Sequence, residues 1–228
     1  MMQPQESYHS TIESVPNEEE IARLTSRVYA QVFRTDFTQP GFALLSFGQQ
    51  VEYLSLGRFM VTLKDAINET YRQKTERSLY CLSMLQFDQQ TTTKFHLDGA
   101  PEESYLMLGY EPTSVKSALC MADYTKAAQE MNLTPQQFLA EYNPMFARGE
   151  QQLAPYITRV EGFDAQQAHL LLINNSRLPY CPEKANSLGV MHQATILNPD
   201  PNQSRIINSV MLAVSPTGDI PVDTLGIE

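Results

Sequence analysis

The 228-residue chain has no tryptophan, three cysteines, four histidines, and 16 lysines and arginines against 26 aspartates and glutamates. Each shortage excludes something. Cys81, Cys120 and Cys181 are odd in number and widely spaced, with no C-x-x-C pair, which argues against a disulfide framework and for a reducing compartment. The net charge of −10 leaves no basic face for nucleic acid. No apolar run approaches the length of about 18 residues that a membrane helix needs. The opening "MMQPQESYHSTIESVPNEEE" has neither a basic start nor an apolar stretch. The expectation is therefore a cytoplasmic protein with no nucleic-acid or membrane partner. Triplets such as Asn68-Glu69-Thr70 then carry no glycosylation meaning. There is no internal repeat, and no serine or cysteine has a histidine and an acid at suggestive spacing.

What remains is ordinary globular material. Hydrophobic residues make up 42% and charged ones 18%, enough to bury a core without staples. Residues 1–16 read as a loose polar tail and 17–228 as one domain. After Ser14–Asn17, Ile21, Leu24, Val28 and Val32 recur at helical spacing. "FTQPGFALLSF" reads as a turn and a short buried strand. Leu56, Phe59, Met60, Leu63, Ile67 and Tyr71 form the inner stripe of a second helix. Residues 17–77 are thus helical support.

From Ser78 the residues become β-branched, aromatic and apolar, as strands require. A helical insert, 123–150, interrupts them, with Thr134-Pro135 as N-cap and first helical position. The lid reading takes 123–160 as a segment long enough to cover a site mouth. Further strands follow, and "SLGVMHQATIL", "NPDPNQ" and "SRIINSVMLAV" read as a hairpin. Helices followed by about eight strands predict a mainly β fold with flanking helices, an antiparallel double-sheet barrel.

Within "FHLDG", His96 precedes Asp98 by two residues, so on a strand both side chains point the same way. Alone the pair also describes a hydrogen-bonded strand end. A third ligand would have to come from afar. His9 lies in the tail and His169 opens a strand, but His192 sits within "LGVMHQATIL" near the end of the chain. A jelly roll brings early and late strands together. His96, Asp98 and His192 would then form a two-histidine, one-carboxylate face that leaves metal positions open. Arg205 follows across the turn, with Ile207 and Ser209 on its strand face, and arginine is the preferred fork for a carboxylate.

"FHLDG", "LLINNSRLPY…LGVMH" and "SRIINSVML" together resemble the core of the Fe(II)/2-oxoglutarate-dependent oxygenases. That family's pattern is H-x-D/E, a distal His, and an Arg a short way further on. The resemblance covers residues 78–215. It implies a double-stranded β-helix (jelly-roll, cupin-like) core with N-terminal helices. It implies Fe(II) on His96, Asp98 and His192, and 2-oxoglutarate chelating the iron and paired with Arg205. The family often has a serine or threonine two residues after the arginine; here that position is Ile207, and Ser209 stands two further on. The implied activity is a dioxygenase using O2 to hydroxylate, or otherwise oxidise, an unactivated C–H of a small molecule such as an amino acid or natural-product intermediate. Related halogenases have a small residue where Asp98 stands, so the carboxylate favours hydroxylation.

Arg159 and Arg177 are candidates for a substrate carboxylate. Asn174 and Asn175 read as turn residues or supports of the site, and Tyr80 and Gln86 as core or co-substrate contacts. Two other classes fit the same strands. A cupin-like metal enzyme without 2-oxoglutarate would use clustered G-x-H-x-H histidines, which are missing. A non-catalytic jelly-roll binding module would need no triad.

Overall fold

The computed structural model describes residues 8–14, 16–48 and 54–215. In chain order the elements are β1 (His9–Ile12), α1 (Glu18–Val32), β2 (Phe42–Phe47), α2 (Leu54–Thr75), β3 (Leu79–Asp88), β4 (Ser104–Tyr110), β5 (Ser117–Ala122), α3 (Tyr124–Glu130), α4 (Pro135–Glu141), α5 (Ala147–Leu153), β6 (Ile157–Arg159), β7 (His169–Asn174), β8 (Met191–Ile196) and β9 (Ile206–Val214). The strands form a six-stranded sheet, ordered β1-β2-β7-β4-β9-β3, and a three-stranded sheet, β6-β5-β8. Among the described residues the architecture is two sheets flanked by five α-helices.

Strand periodicity sorts the apolar residues into layers. On β4, Leu106, Leu108 and Tyr110 face the other sheet, where they meet Leu119, Met121 and Ala194. Tyr105 and Met107 face the opposite way, onto the stripe of α2 and onto Val28 and Val32 of α1. Strands buried on both faces read as continuous apolar runs, and "HLLLIN" of β7 is one. Phe95, Ala122 and Met191 form the outer face of the small sheet and meet Tyr124, Phe138 and Leu153 of the insert. The order of layers is helices, large sheet, small sheet, helices.

The helix assignments hold locally. Asn17 caps α1 in a capping box with Glu20, and Thr134 does the same for α4 with Gln137. All six stripe residues of α2 are buried.

Three expectations change. Residues 9–12 of the expected tail form β1, parallel to β2, with Tyr8 and Ile12 buried; residues 1–7 lie outside the description. Four residues are too few to show alternation, so only pairing with β2 reveals the strand. Second, β8 and β9 are not a hairpin. β8 pairs with β5 in the small sheet, while β9 pairs with β3 and β4 in the large one, so the turn carries the chain between sheets. Third, the insert is three short helices packed on the outer face of the small sheet, rather than a cover over the space between the sheets.

Candidate metal centre

The pairing that joins the distant motifs is a single bridge. His96 N–H donates to the His192 carbonyl and His192 N–H to the His96 carbonyl, both at 3.1 Å. Thr93 extends the contact: its N–H donates to Ala194 O (2.9 Å), and its hydroxyl accepts from Ala194 N–H (3.0 Å). The segment before His96 thus runs antiparallel to β8. Residues directly opposite in such a pair share a face, and Asp98 joins them by the two-residue period.

The imidazole rings of His96 and His192 lie 4.2 Å apart, and His96 Nε2 is 3.5 Å from Asp98 Oδ1. One donor atom from each of the three residues lies within 4.8 Å of the others. His96 Nδ1 is 2.7 Å from the Lys94 carbonyl, which can only accept. That ring nitrogen therefore carries a proton, which leaves Nε2 as the atom that can ligate a metal. His192 Nδ1 is buried with no hydrogen-bond partner. Burial and the neighbouring His96 hold the His192 pKa down at about 3, so it stays neutral at physiological pH. Burial raises the Asp98 carboxyl, with His96 opposing. Two imidazoles, one with a buried nitrogen that has no hydrogen-bond partner, and a carboxylate fit a divalent metal ion. The group can hold one.

Asn175, fully buried after β7, fixes the backbone of the triad. Its Oδ1 accepts from Asp98 N–H at 2.9 Å, and its Nδ2 donates to the Asp98 carbonyl at 3.1 Å. It is a support of the site rather than a turn residue. Asn174 instead ties Val32 O to Ser187. Replacing Asn175 by Ala should lower metal affinity by roughly tenfold to a hundredfold while leaving all three ligands in place. Calorimetric titration of the variant with a divalent metal reads this directly.

A second support lies behind β8. Arg34, 1% exposed, makes a two-pronged ion pair with Asp123 at 2.6 and 2.8 Å. Its Nε donates to Leu188 O at 3.0 Å, so it also holds the segment that leads to His192. Gly41 and Gly189 permit this packing. A Cβ on Gly41, at φ +81°, would press on Arg34 and Val190, and one on Gly189 would overlap the Ser176 carbonyl. The sequence carries no local sign of this contact, which joins residues far apart.

Arg205 stands just before β9, at the other end of the strands. It shares the inner face with Ile207 and Ser209 by the two-residue period and is buried, 2% exposed. Its Nε donates to Ser117 Oγ (3.2 Å) and its Nη1 to Gln89 O (3.1 Å), while Nη2 is buried without a partner. No carboxylate forms an ion pair with it among the described residues. Its guanidinium lies 5.1 Å from the ring centre of Tyr110. Burial pushes the Tyr110 hydroxyl up to about 12; the Arg205 charge and hydrogen bond oppose the rise, and the Asp98 charge adds to it. Tyr110 thus stands beside Arg205, and its place in an apolar strand gave no sign of this. Ser209, nearly buried, pairs with Leu85 and Leu108, about 13 Å along the strand from Arg205 toward the triad end.

The other candidates fall away from the site or beside it. His169 engages Ser46 through Nδ1 and Asp164 through Nε2 and is far from the triad's bridge. His9 belongs to the same chain, bonded to Ser46 at 2.8 Å. Gln86 bonds Asn208 and Glu111, on the face of the sheet turned away from Arg205. Tyr80 pairs with Ala213. Arg159 is exposed on β6, at the edge of the small sheet. Arg177 lies beside the triad, its Nη2 donating to the Asp98 carbonyl at 3.2 Å. No disulfide joins the three half-buried cysteines. No helix among the described residues is long and apolar enough to cross a membrane.

No protein-family model matches the chain, and no curated protein matches it in sequence.

Proposed function

We propose that this chain is an Fe(II)- and 2-oxoglutarate-dependent oxygenase that hydroxylates, or otherwise oxidises, an unactivated C–H of a small molecule. One observation carries the reading. A two-histidine, one-carboxylate group and a buried arginine with no acid partner lie toward opposite ends of one inter-sheet space. Asp88 accepts from the Arg205 backbone N–H and its charge acts on the guanidinium, but Nη2 stays buried without a partner, which favours an incoming anion. A short dicarboxylate that reached from the metal to Arg205 would satisfy both ends.

The strand order supports the same reading. From β3 onward the chain passes through the large sheet, the 93–96 segment of the small sheet, β4 of the large, β5 and β6 of the small, β7 of the large, β8 of the small and β9 of the large. This alternation supports reading the fold as a double-stranded β-helix of the jelly-roll type. His96, Asp98 and His192 would hold the iron, and Arg205, with Ser117 and Tyr110 beside its guanidinium, would pair with the far carboxylate. Ser209 faces the same space. Iron and 2-oxoglutarate would supply, with O2, the oxidising power to cleave the C–H bond. The protein positions the substrate and excludes water. Three half-buried cysteines without a disulfide suit a reducing cytoplasm.

Anaerobic visible absorption of the Fe(II)-loaded protein tests this. Titration with 2-oxoglutarate should produce a metal-to-ligand charge-transfer band. In Arg205→Ala the iron should remain and the 2-oxoglutarate affinity fall by roughly a hundredfold or more, the cost of removing one member of a buried charge pair. Iron binding with no band would return the site to a metal enzyme that does not use 2-oxoglutarate. No iron binding would leave a jelly-roll binding module.

A further inference from the structure

The two edges of the large sheet differ. At one end β1 has four residues. At the other β3 has ten, and no strand among the described residues pairs with its outer side. A long unpaired strand is a template for another chain, and such edges are ordinarily blunted by charge, proline or shortness. β3 has none of these over most of its length; its one irregularity is the register shift between Cys81 and Ser83. Between Arg77 and Asp88 the sequence "SLYCLSMLQF" contains no charge and no proline, in a chain of net charge −10. Exposed apolar side chains also gather there. Leu82 (41%), Met84 (48%), Leu85 (61%) and Phe87 (38%) are four of the nine large hydrophobic residues that stand exposed among the described residues.

The charges at the ends of this stretch decide which partner fits. Arg77 precedes the strand, exposed and ion-paired with Glu103 of its own chain at 2.7 Å, and Asp88 closes it, exposed and accepting from the Arg205 backbone N–H at 2.9 Å. Two copies laid antiparallel across a two-fold axis would set each Arg77 toward the partner's Asp88, with only uncharged side chains between. An antiparallel pair of identical strands is the isologous arrangement that closes on itself. Elsewhere the like charge of the two copies keeps them apart.

We infer that β3 is a homodimerisation edge, at which two copies join their large sheets by antiparallel pairing that sets Arg77 opposite the partner's Asp88. The inference is independent of the chemistry at the metal centre.

Sedimentation equilibrium of the native chain across a range of concentrations tests it. A reversible dimer is expected. Leu85→Lys, at the most exposed position, should weaken the dimer at least tenfold while the melting temperature of the monomer stays unchanged. Arg77→Glu and Asp88→Lys each place like charges at both ends and should each weaken self-association. Mixed together they should form a heterodimer, because every facing pair is then of opposite sign. A native chain that stays monomeric at all concentrations would overturn the inference and give the edge to another segment of the same chain or to no partner. A dimer indifferent to Leu85→Lys would overturn it equally, by placing the interface elsewhere.

Discussion

His192→Ala is expected to abolish tight metal binding, with at least a hundredfold loss of affinity. Removing a residue that merely supports a ligand costs roughly tenfold to a hundredfold, and here the ligand itself goes. The readout is anaerobic thermal denaturation with and without Fe(II). Metal at about a hundred times its dissociation constant stabilises the native chain by about 2.7 kcal/mol, a rise of roughly 5–10 °C for a protein of this size. In His192→Ala the rise should vanish. A variant with an undiminished metal-dependent rise would remove His192 from the site. The same measurement across pH has a defined sign. Binding needs ionised Asp98, whose pKa is raised by burial, so affinity should fall as pH drops through that raised range, sooner than at an ordinary carboxylate. His192, with its pKa at about 3, adds no proton competition near neutrality. It acts on the metal-free fold instead. The unfolded histidine takes a proton near its usual pKa of about 6.5, while the folded one resists until about 3. In that window the unfolded state binds more protons, so His192's contribution makes the metal-free protein less stable as pH falls from about 6.5 toward 3.

Arg34→Ala should be the most destabilising single change at a polar position. It leaves Asp123 without its partner and frees the carbonyl of Leu188, at a cost of about 3–5 kcal/mol, or roughly 6–20 °C in melting temperature. The paired replacement Arg34→Met with Asp123→Leu should be much milder, because no buried charge is then left alone. Both are read by thermal denaturation. Equal losses in the single and double variants would mean that the ion pair serves packing rather than charge compensation. Metal affinity should fall with Arg34→Ala as well, since the segment ahead of His192 loses its anchor.

Much of this was legible in the residues. The helix stripes, the N-caps at Asn17 and Thr134, and the β content after Ser78 follow from local periodicity and capping chemistry. The triad was legible because a two-residue spacing on a strand is a geometric statement, and because few histidines left few choices. What stayed hidden depends on contacts between residues far apart. The sheet that β9 joins is decided by β3 and β4, and nothing in "NPDPNQ" distinguishes a hairpin turn from a crossover. The clasp of Asn175 on Asp98 and the ion pair of Arg34 with Asp123 leave no spacing to read. The insert's position was hidden because its apolar residues fit either a lid or an outer layer.

The His96–His192 bridge bears on how such a site is inherited. Its geometry is held by pairing across strands: His96 against His192, Ile206 against Asp88, Ile207 against Tyr110. The lengths of chain between those pairs do not enter. Loops can lengthen, shorten or change composition while the three ligands and the arginine keep their places. Divergence is then free to erase almost everything except a handful of positions and the alternation around them. Two proteins could descend from one ancestor, keep the same chemistry, and align no better than strangers.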